Sequence, residues 1–209
     1  MHLYGIARAP ATVPPELSTL LTAIDHDGLT AFVSRTGNPL DDPAAFMDVI
    51  CALAEHQTMI PAQASAEPLT ETKVTRLLRS GTQRFNRLLD KFNACSEWSI
   101  RITEPTLVAT HSISSADDSG RSYLDSRRTS LAMQTDIRED LIPTATAWAK
   151  QLAPIATDVR TVPSADAASV AVLIRDADAH RLQDLVASST LPGTLIGPWP
   201  PFSFVGLEA

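Results

Sequence analysis

The chain has 209 residues, which is enough for one large domain or two small ones. Hydrophobic residues make up 44% of it and charged residues 20%, a balance that excludes wholesale disorder. The formal net charge of −7 argues against a protein that mainly coats nucleic acid or anionic lipid, because such proteins carry the opposite sign.

The start of the chain shows no targeting pattern. The stretch MHLYGIARAP lacks a basic region followed by an apolar region, so we expect no secretory signal. No apolar run approaches the roughly 20 residues that a bilayer-spanning helix needs. We therefore expect a soluble, cytoplasmic protein without a membrane partner.

The first half of the chain alternates between strand-like and helix-like patterns. Asp25–Gly28 is typical of a turn, and Asp41 or Asp42 is placed to cap a helix with Pro43 in its first turn. In chain order the patterns predict a strand at Leu3–Ala7, a helix at Glu16–Ala23, a strand at Leu29–Ser34, a helix at Ala44–Glu55 and a strand at Thr58–Ala64. This βαβαβ-like order indicates an N-terminal α/β domain.

The clearest helix in the sequence spans Thr70–Phe92. Its apolar residues fall on one arc at about 100° per residue, namely Val74, Leu77, Leu78, Phe85, Leu88, Leu89 and Phe92. Cations form a stripe along one flank of that arc, here called the basic stripe: Lys73, Arg76, Arg84, Arg87 and Lys91. Two interpretations stay open for the basic stripe, a solvated flank whose stems cover the core edge or a surface that contacts another protein. Nucleic acid is disfavoured by the negative net charge and by the lack of an RNP-like strand motif.

The second half predicts a second domain. Trp98, Ile100 and Ile102 alternate along a strand at Glu97–Thr103. After a polar connector at Ser114–Gly120, the patterns predict a helix at Arg121–Leu152 that Pro143 kinks or splits, strands at Thr157–Val162 and Ala168–Asp176, a helix capped by Asp176 or Asp178 that ends near Ser188, and a last strand. The inward positions of the long helix are Leu124, Leu131, Ile137, Leu141, Ala145, Trp148 and Leu152.

This βαββαβ order is that of a ferredoxin-like domain. The sequence therefore predicts an α+β protein with two domains. Residues 1–94 form the N-terminal α/β domain that ends in the long amphipathic helix, and residues 95–209 form the ferredoxin-like domain with a tail that packs back on the chain.

No motif for catalysis, cofactor binding or metal binding is present. The five histidines are dispersed, and no glycine-rich phosphate loop or nucleophile motif occurs. Cys51 and Cys95 are interpreted as small buried hydrophobes, and the aspartates in Asp176–His180 as helix caps rather than ligands. We expect no catalytic residue, no cofactor and no metal.

Arginines and a tyrosine are concentrated in GRSYLDSRR, Gly120–Arg128. These side chains are able either to clamp an anion or to hold carboxylates such as Glu97 of the neighbouring strand. The structural interpretation is favoured, because no nucleophile or base lies nearby in the sequence.

The stretch GPWPPFSFV, Gly197–Val205, here called the tail, combines three prolines with three aromatics. Proline restricts the backbone and lowers the entropy lost on ordering, so the tail is predicted to be a stiff arm. We expect it to bury Trp199, Phe202 and Phe204 in an apolar seat on the same chain, since an exposed apolar patch of this size is rare in monomers.

Four of these stretches together resemble the gas vesicle protein GvpF/GvpL family: LYGIA at Leu3–Ala7, EWSIRI at Glu97–Ile102, GRSYLDSRR and the tail. The positions that carry the resemblance are Glu97, Trp98, Gly120, Arg121, Tyr123, Leu124, Arg127, Gly197, Pro198, Pro200 and Pro201. One family feature is missing. The family commonly has a proline-led stretch of the form PxRFGT after the second helix, and here Pro61 is followed by AQASA, without the Arg, Phe or Gly.

The resemblance implies a non-enzymatic accessory or minor structural protein of the gas vesicle. Such a protein binds the small hydrophobic shell protein, and other accessory proteins as well, and supports vesicle nucleation and assembly. The resemblance also implies an N-terminal α/β domain, a ferredoxin-like domain and a tail folded back on the rest. The alternative is a regulatory module that binds a small molecule, since ferredoxin-like domains often sense metabolites.

Overall fold

The computed structural model describes residues 1–35, 37–102, 141–163 and 168–205. The chain divides into two compact units. One consists of Met1–Glu97 with Pro198–Ala209, and the other of Trp98–Gly197. This division places the end of the chain with the N-terminal residues.

The first unit contains a four-stranded antiparallel sheet. Its strands are β1 (His2–Arg8), β2 (Leu21–His26), β3 (Leu29–Ser34) and β4 (Met59–Pro61), in the order β2-β3-β1-β4. Strands β2 and β3 form a hairpin in which His26 pairs with Leu29. The two turn residues, Asp27 and Gly28, have φ angles of 50° and 76°, as a tight turn between right-twisted strands requires.

The predicted helix at Glu16–Ala23 is wrong. Only a single turn of 3-10 helix forms, at Pro15–Leu17, and the chain then enters β2. The pairing of Leu21–His26 with β3 through a two-residue turn outweighs the weak helical pattern, because each step of the hairpin adds ladder hydrogen bonds and cross-strand contacts. The unit therefore opens with three strands instead of the predicted βαβ alternation.

Two helices pack on this sheet, α1 (Pro43–His56) and α2 (Glu71–Phe92). Asp42 caps α1 by accepting a hydrogen bond from the backbone N–H of Ala45 at 3.0 Å, and Pro43 occupies the first turn. Thr70 caps α2 by accepting one from the N–H of Lys73 at 3.2 Å. The predictions of both helices and of the Asp42 cap are confirmed.

The core of the first unit lies on both faces of the sheet. On one face Tyr4, Phe32 and Met59 pack against the buried α1 residues Phe46, Ile50 and Leu53. Residues alternate in direction along a strand, so Ala31 and Val33 point the other way, toward α2, which contacts all four strands. The buried residues of α2 are Val74, Leu78, Phe85, Leu88, Leu89 and Phe92.

The second unit is built on another four-stranded sheet. Its elements are β5 (Cys95–Ile102, whose first three residues belong to the first unit), a helix described over 141–152 and named α3, β6 (Asp158–Pro163), β7 (Ala168–Arg175), α4 (Ala179–Ser188) and β8 (Thr194–Trp199). The strand order is β6-β7-β5-β8, and β6 and β7 pair antiparallel. A 3-10 turn at Asp176–Asp178 leads into α4.

The core of the second unit lies between this sheet and the helices. It contains Ile100, Ile102, Val170, Val172, Ile174 and Leu182 together with Leu141, Ala145, Trp148 and Leu152 of α3. The last four are the predicted inward positions of the long helix, so that part of its pattern is confirmed. The backbone is helical from 141 through Pro143 to 152, and the part of the helix predicted before 141 lies outside the described residues, so the kink or split at Pro143 stays a prediction. The connector Ser114–Gly120 and the inward positions Leu124, Leu131 and Ile137 lie outside the described residues.

Caps and strand lengths differ from the predictions in two places. Asp178 stands at the N-cap of α4, but its side chain makes no capping hydrogen bond and instead pairs with Arg181 at 3.2 Å. Strand β4 is shorter than predicted and ends at Pro61, although the N–H of Ala62 still donates to the carbonyl oxygen of Tyr4 at 2.9 Å.

Gly5 of β1 fits against β4 only because it has no side chain. A Cβ at this position would lie 2.9 Å from the carbonyl oxygen of Ile60 and collide with the side chain of Met59. We expect Gly5→Ala to cost about 1–3 kcal/mol through overpacking, with a fall in Tm. Thr22→Ala, at an exposed position of β2, is the control in the same sheet. Equal Tm values for the two variants would contradict this account of Gly5.

Candidate partner-binding site

The tail is held on the first unit by Glu97. The Glu97 side chain is 6% exposed, and its carboxylate accepts hydrogen bonds from the backbone N–H of Ser203 at 2.8 Å and from its Oγ at 2.6 Å. Ser203 lies in a turn of 3-10 helix at Phe202–Phe204. A buried carboxylate is stable only when donors replace its water, so these two bonds fix the end of the tail in place.

The aromatic residues of the tail differ in burial. Phe204 is fully buried, and Phe202 is half-buried against the core cluster that contains Phe32 and Met59. Trp199 is 40% exposed at the end of β8, so the expectation that it is buried with the other two is not met. Pro200 and Pro201 are buried and turn the chain from the strand into the 3-10 segment, which separates Trp199 from the two phenylalanines.

Two members of the basic stripe also hold the tail. The guanidinium of Arg84 donates from Nη2 to the carbonyl oxygen of Val205 at 3.0 Å. The Lys91 ammonium lies 5.9 Å from the centroid of the Phe204 ring, within the range of a cation–π contact. These contacts join α2 to residues more than a hundred positions later in the chain.

The remaining stripe residues are arranged differently. Lys73 pairs with Glu67 at 3.0 Å. Arg76 and Arg87 are exposed and make no ion pair or hydrogen bond with any residue that the structure describes. Arg79, the other arginine of α2, donates from Nε to His26 at 3.2 Å. The two unpaired arginines are therefore available to a partner.

An apolar groove, here called the edge groove, borders the basic stripe within the first unit. Its volume is about 450 Å³. Its apolar walls come from the paired strands β1 and β4, the segment that follows β4, and α2; they include Leu3, Ile6, Ile60, Leu69, Leu77 and Phe85. Polar lining comes from His2, Glu67 and Arg84, and Val205 of the tail completes the wall.

Other family-motif positions are placed as follows. Trp98 is 8% exposed in the core of the second unit. Gly197 has a φ of 140°, a backbone conformation that residues with a side chain rarely adopt. Gly120, Arg121, Tyr123, Leu124 and Arg127 lie outside the described residues. The predicted link between those arginines and Glu97 therefore stays a prediction.

Burial affects two titratable groups of the first unit, Cys51 and Tyr4. Burial raises the pKa of the Cys51 thiol, with further help from the negative charges of Asp48 and Glu55, so it stays protonated and is a poor nucleophile. Burial also raises the pKa of Tyr4. Cys51 and Cys95 are half-buried and not disulfide-bonded, a correction to their predicted full burial.

Among the described residues, no group of three or more His, Cys, Asp or Glu side chains is arranged to hold a metal ion. No helix in the same ranges is both long and apolar enough to cross a membrane.

The cations of the basic stripe lie on one flank of α2, as the helical spacing predicts. The sequence analysis did not predict the edge groove. Its strand residues, Leu3, Ile6 and Ile60, carry only the ordinary alternation of a buried strand. The bond between Glu97 and Ser203 was also missed, because nothing local in either segment pairs residues 106 positions apart.

Within the described residues, the fold is that of a mixed α+β protein with two four-stranded sheets and four helices. A family profile described as "Gas vesicle synthesis protein GvpL/GvpF" matches residues 1–206. The chain belongs to this family and is a gas vesicle-related protein, so the resemblance found in the sequence is confirmed.

Individual relatives agree with this assignment. Gas vesicle protein L of Streptomyces sp. (strain CB03234) is 26% identical over 178 residues, and the match takes in 76% of this chain. The chain spans 66% of the length of that relative, just under two thirds.

Two solved structures share the fold. The crystal structure of the gas vesicle protein GvpF from Anabaena sp. PCC7120 superposes with a TM-score of 0.67 at 16% identity, over 100% of this chain and 96% of that one. GvpF from Microcystis aeruginosa gives a TM-score of 0.64 at 14% identity, over 99% and 98%. At such identities the likeness concerns the fold alone.

The hydrogen bond between Ser203 Oγ and Glu97 is testable by a single substitution. Ser203→Ala removes one donor to a buried carboxylate, and we expect a loss of about 1.5–3 kcal/mol, with a Tm lower by several degrees. Limited proteolysis followed by mass spectrometry should show faster cleavage within the tail. Ser188→Ala, whose hydroxyl bonds only to carbonyls of its own helix, is the control. If the two variants behave alike, the Ser203 bond does not secure the tail.

Proposed function

We propose that this protein is a non-enzymatic accessory or minor structural protein of the gas vesicle, cytoplasmic and associated with vesicles. It binds the vesicle shell protein, contacts other accessory proteins, and supports vesicle nucleation and assembly. The observation that carries this proposal, beside family membership, is the pair of exposed and unpaired arginines on α2, Arg76 and Arg87.

The charge on one flank of α2 is opposite in sign to the net charge of the chain. The chain is acidic overall, with a net charge of −7, yet α2 presents a local excess of cations on one flank. A cationic patch steers acidic groups of a partner during encounter, and it disfavours approach in other orientations. An apolar subunit awaiting assembly needs a partner that masks its surface, and the edge groove beside the patch offers apolar area.

The absence of enzymatic activity is part of the proposal. The described groups whose pKa values are raised, Tyr4 and Cys51, are held in their neutral forms by burial. Around Cys51 the charges of Asp48 and Glu55 favour the thiol over the thiolate, which is the opposite of the activation that covalent catalysis requires. Glu67 is the one carboxylate in the described lining of the edge groove, and it pairs with Lys73 outside that lining.

We also infer that the second unit is a ferredoxin-like domain. Its strand order, β6-β7-β5-β8, is the order expected for a βαββαβ unit whose last strand lies beside its first. We propose that the tail is a clasp that returns from this domain to the N-terminal domain, with Phe202 and Phe204 as its apolar anchors.

The steering role of the arginines predicts a salt-sensitive interaction. Immobilised shell protein should retain about tenfold less of the double variant Arg76→Glu and Arg87→Glu than of the wild type. The difference between the two should shrink as the salt concentration is raised, because salt screens the charges. The affinity tag is carried by the shell protein, which is co-expressed with each variant.

The matched control is the double variant Lys150→Glu and Arg175→Glu. Both residues are exposed, lie in the second unit and make no ion pair or hydrogen bond with the described residues, and the change in net charge is the same. Retention that falls equally in both double variants would show a general charge effect, and retention unchanged in the α2 variant would place the contact elsewhere.

A further inference from the structure

We propose that the edge groove receives an apolar segment of the shell protein that carries a carboxylate, and that this carboxylate pairs with Arg84. This inference rests on the function proposed above and assigns it a site. It concerns only residues of the first unit.

The shape and lining of the groove suit an apolar polypeptide segment. A volume of about 450 Å³ accommodates a few aliphatic side chains. Leu3, Leu69 and Leu77 are half-buried and present hydrocarbon to the groove, whereas the wall residues Ile6, Ile60 and Phe85 are buried. Covering the accessible part of these leucines releases water from it, which favours binding of an apolar segment.

The charges at the rim of the groove favour a partner segment that carries a negative charge. Glu67 is paired with Lys73, and His2 interacts through Nδ1 with the carbonyl oxygen of Ser65. Arg84 uses one Nη2 donor for the Val205 carbonyl and has no other partner among the described residues. Arginine has five N–H donors, so Arg84 retains free donors in the geometry that a carboxylate accepts. The uncompensated charge of the rim is therefore positive.

The stripe arginines extend this positive rim along the helix. At about 100° per residue, Leu77 and Arg84 lie nearly in line on α2, with Arg76 and Arg87 displaced to the solvent side of that line. A segment lying in the groove along α2 thus has its apolar face on Leu77 and its acidic edge beside the arginines.

A glycine within α2 keeps the groove open. Gly81 stands one turn before Phe85, and a Cβ on Gly81 would lie 2.6 Å from Cζ and 2.9 Å from Cδ2 of the Phe85 ring. Glycine is less favourable than alanine within a helix, so its presence here is explained by the space that the Phe85 ring occupies. With alanine at this position the ring is displaced from the helix surface.

The tail makes the groove complete. Val205 supplies part of the wall, and its carbonyl orients Arg84. Binding of the segment and seating of the tail are therefore linked, since both use the same guanidinium. Arg84 is a positioning residue for the tail as well as a contact for the partner.

The test fills the groove without changing charge. Leu77→Trp places a larger ring in the groove, and Gly81→Ala moves the Phe85 ring. Each should lower retention on tagged shell protein about tenfold while the proposed arginine patch stays intact. The controls are Gln83→Trp, exposed on α2 outside the groove, and Ser80→Ala, the exposed neighbour of Gly81. Both controls should retain shell protein at the wild-type level.

Photocrosslinking provides a measurement that does not depend on the stability of these variants. Benzoylphenylalanine at Ala62, in the groove wall, should crosslink to the shell protein, and the same residue at the exposed Ala23 of β2 should not. Crosslinks from Ala62 only to a second copy of this chain, or none, overturn the groove as the site. Unchanged retention in both Leu77→Trp and Gly81→Ala overturns it as well.

These outcomes separate the two proposals. If the wild-type chain retains no shell protein, the proposed function itself fails. If the wild type binds, the variants with reversed charge at Arg76 and Arg87 lose binding, and the groove-filling variants do not, then the function stands and the assignment of the groove is wrong.

Discussion

Burial of the Glu97 carboxylate is the constraint on which the C-terminal part of the first unit depends. A carboxylate with 6% exposure has to receive hydrogen bonds from the protein, and Ser203 supplies two, one from the backbone and one from the hydroxyl. Fixing Ser203 also fixes its neighbours, so that Phe204 is buried under Lys91 and Val205 reaches Arg84. The hydrogen bonds to Glu97 thus also position Val205, the residue of the tail that lines the edge groove.

Helices and strands were predicted correctly where the apolar residues recur over a long segment with a single period. The apolar residues of α2 recur in phase from Val74 to Phe92 and the helix has a threonine cap, so it was predicted to within one residue. Strand β3 was predicted with its observed bounds. The segment Glu16–Ala23 failed because its helical pattern is short, and because the outcome was decided by pairing with β3 through the Asp27–Gly28 turn, a tertiary effect.

The candidate site shows the same division. The cations of the basic stripe were predictable from helical spacing, and so was the apolar arc beside them. The partners of Arg84 and Lys91 were not, since each lies 113 or more positions away and neither end of the contact has a local signal. Trp199 was grouped with Phe202 and Phe204 on composition alone, and the two buried prolines between them send it to a different environment.

Met1 lies beside the edge groove. Its α-ammonium donates to the carbonyl oxygen of Leu69 at 3.2 Å, and Leu69 lines the groove together with His2, the residue after Met1. A fluorescent fusion or purification handle joined to Met1 would consequently be tethered beside the apolar walls and compete with whatever enters. Labels for localisation or capture belong instead on an exposed segment that neither lines the groove nor contacts α2.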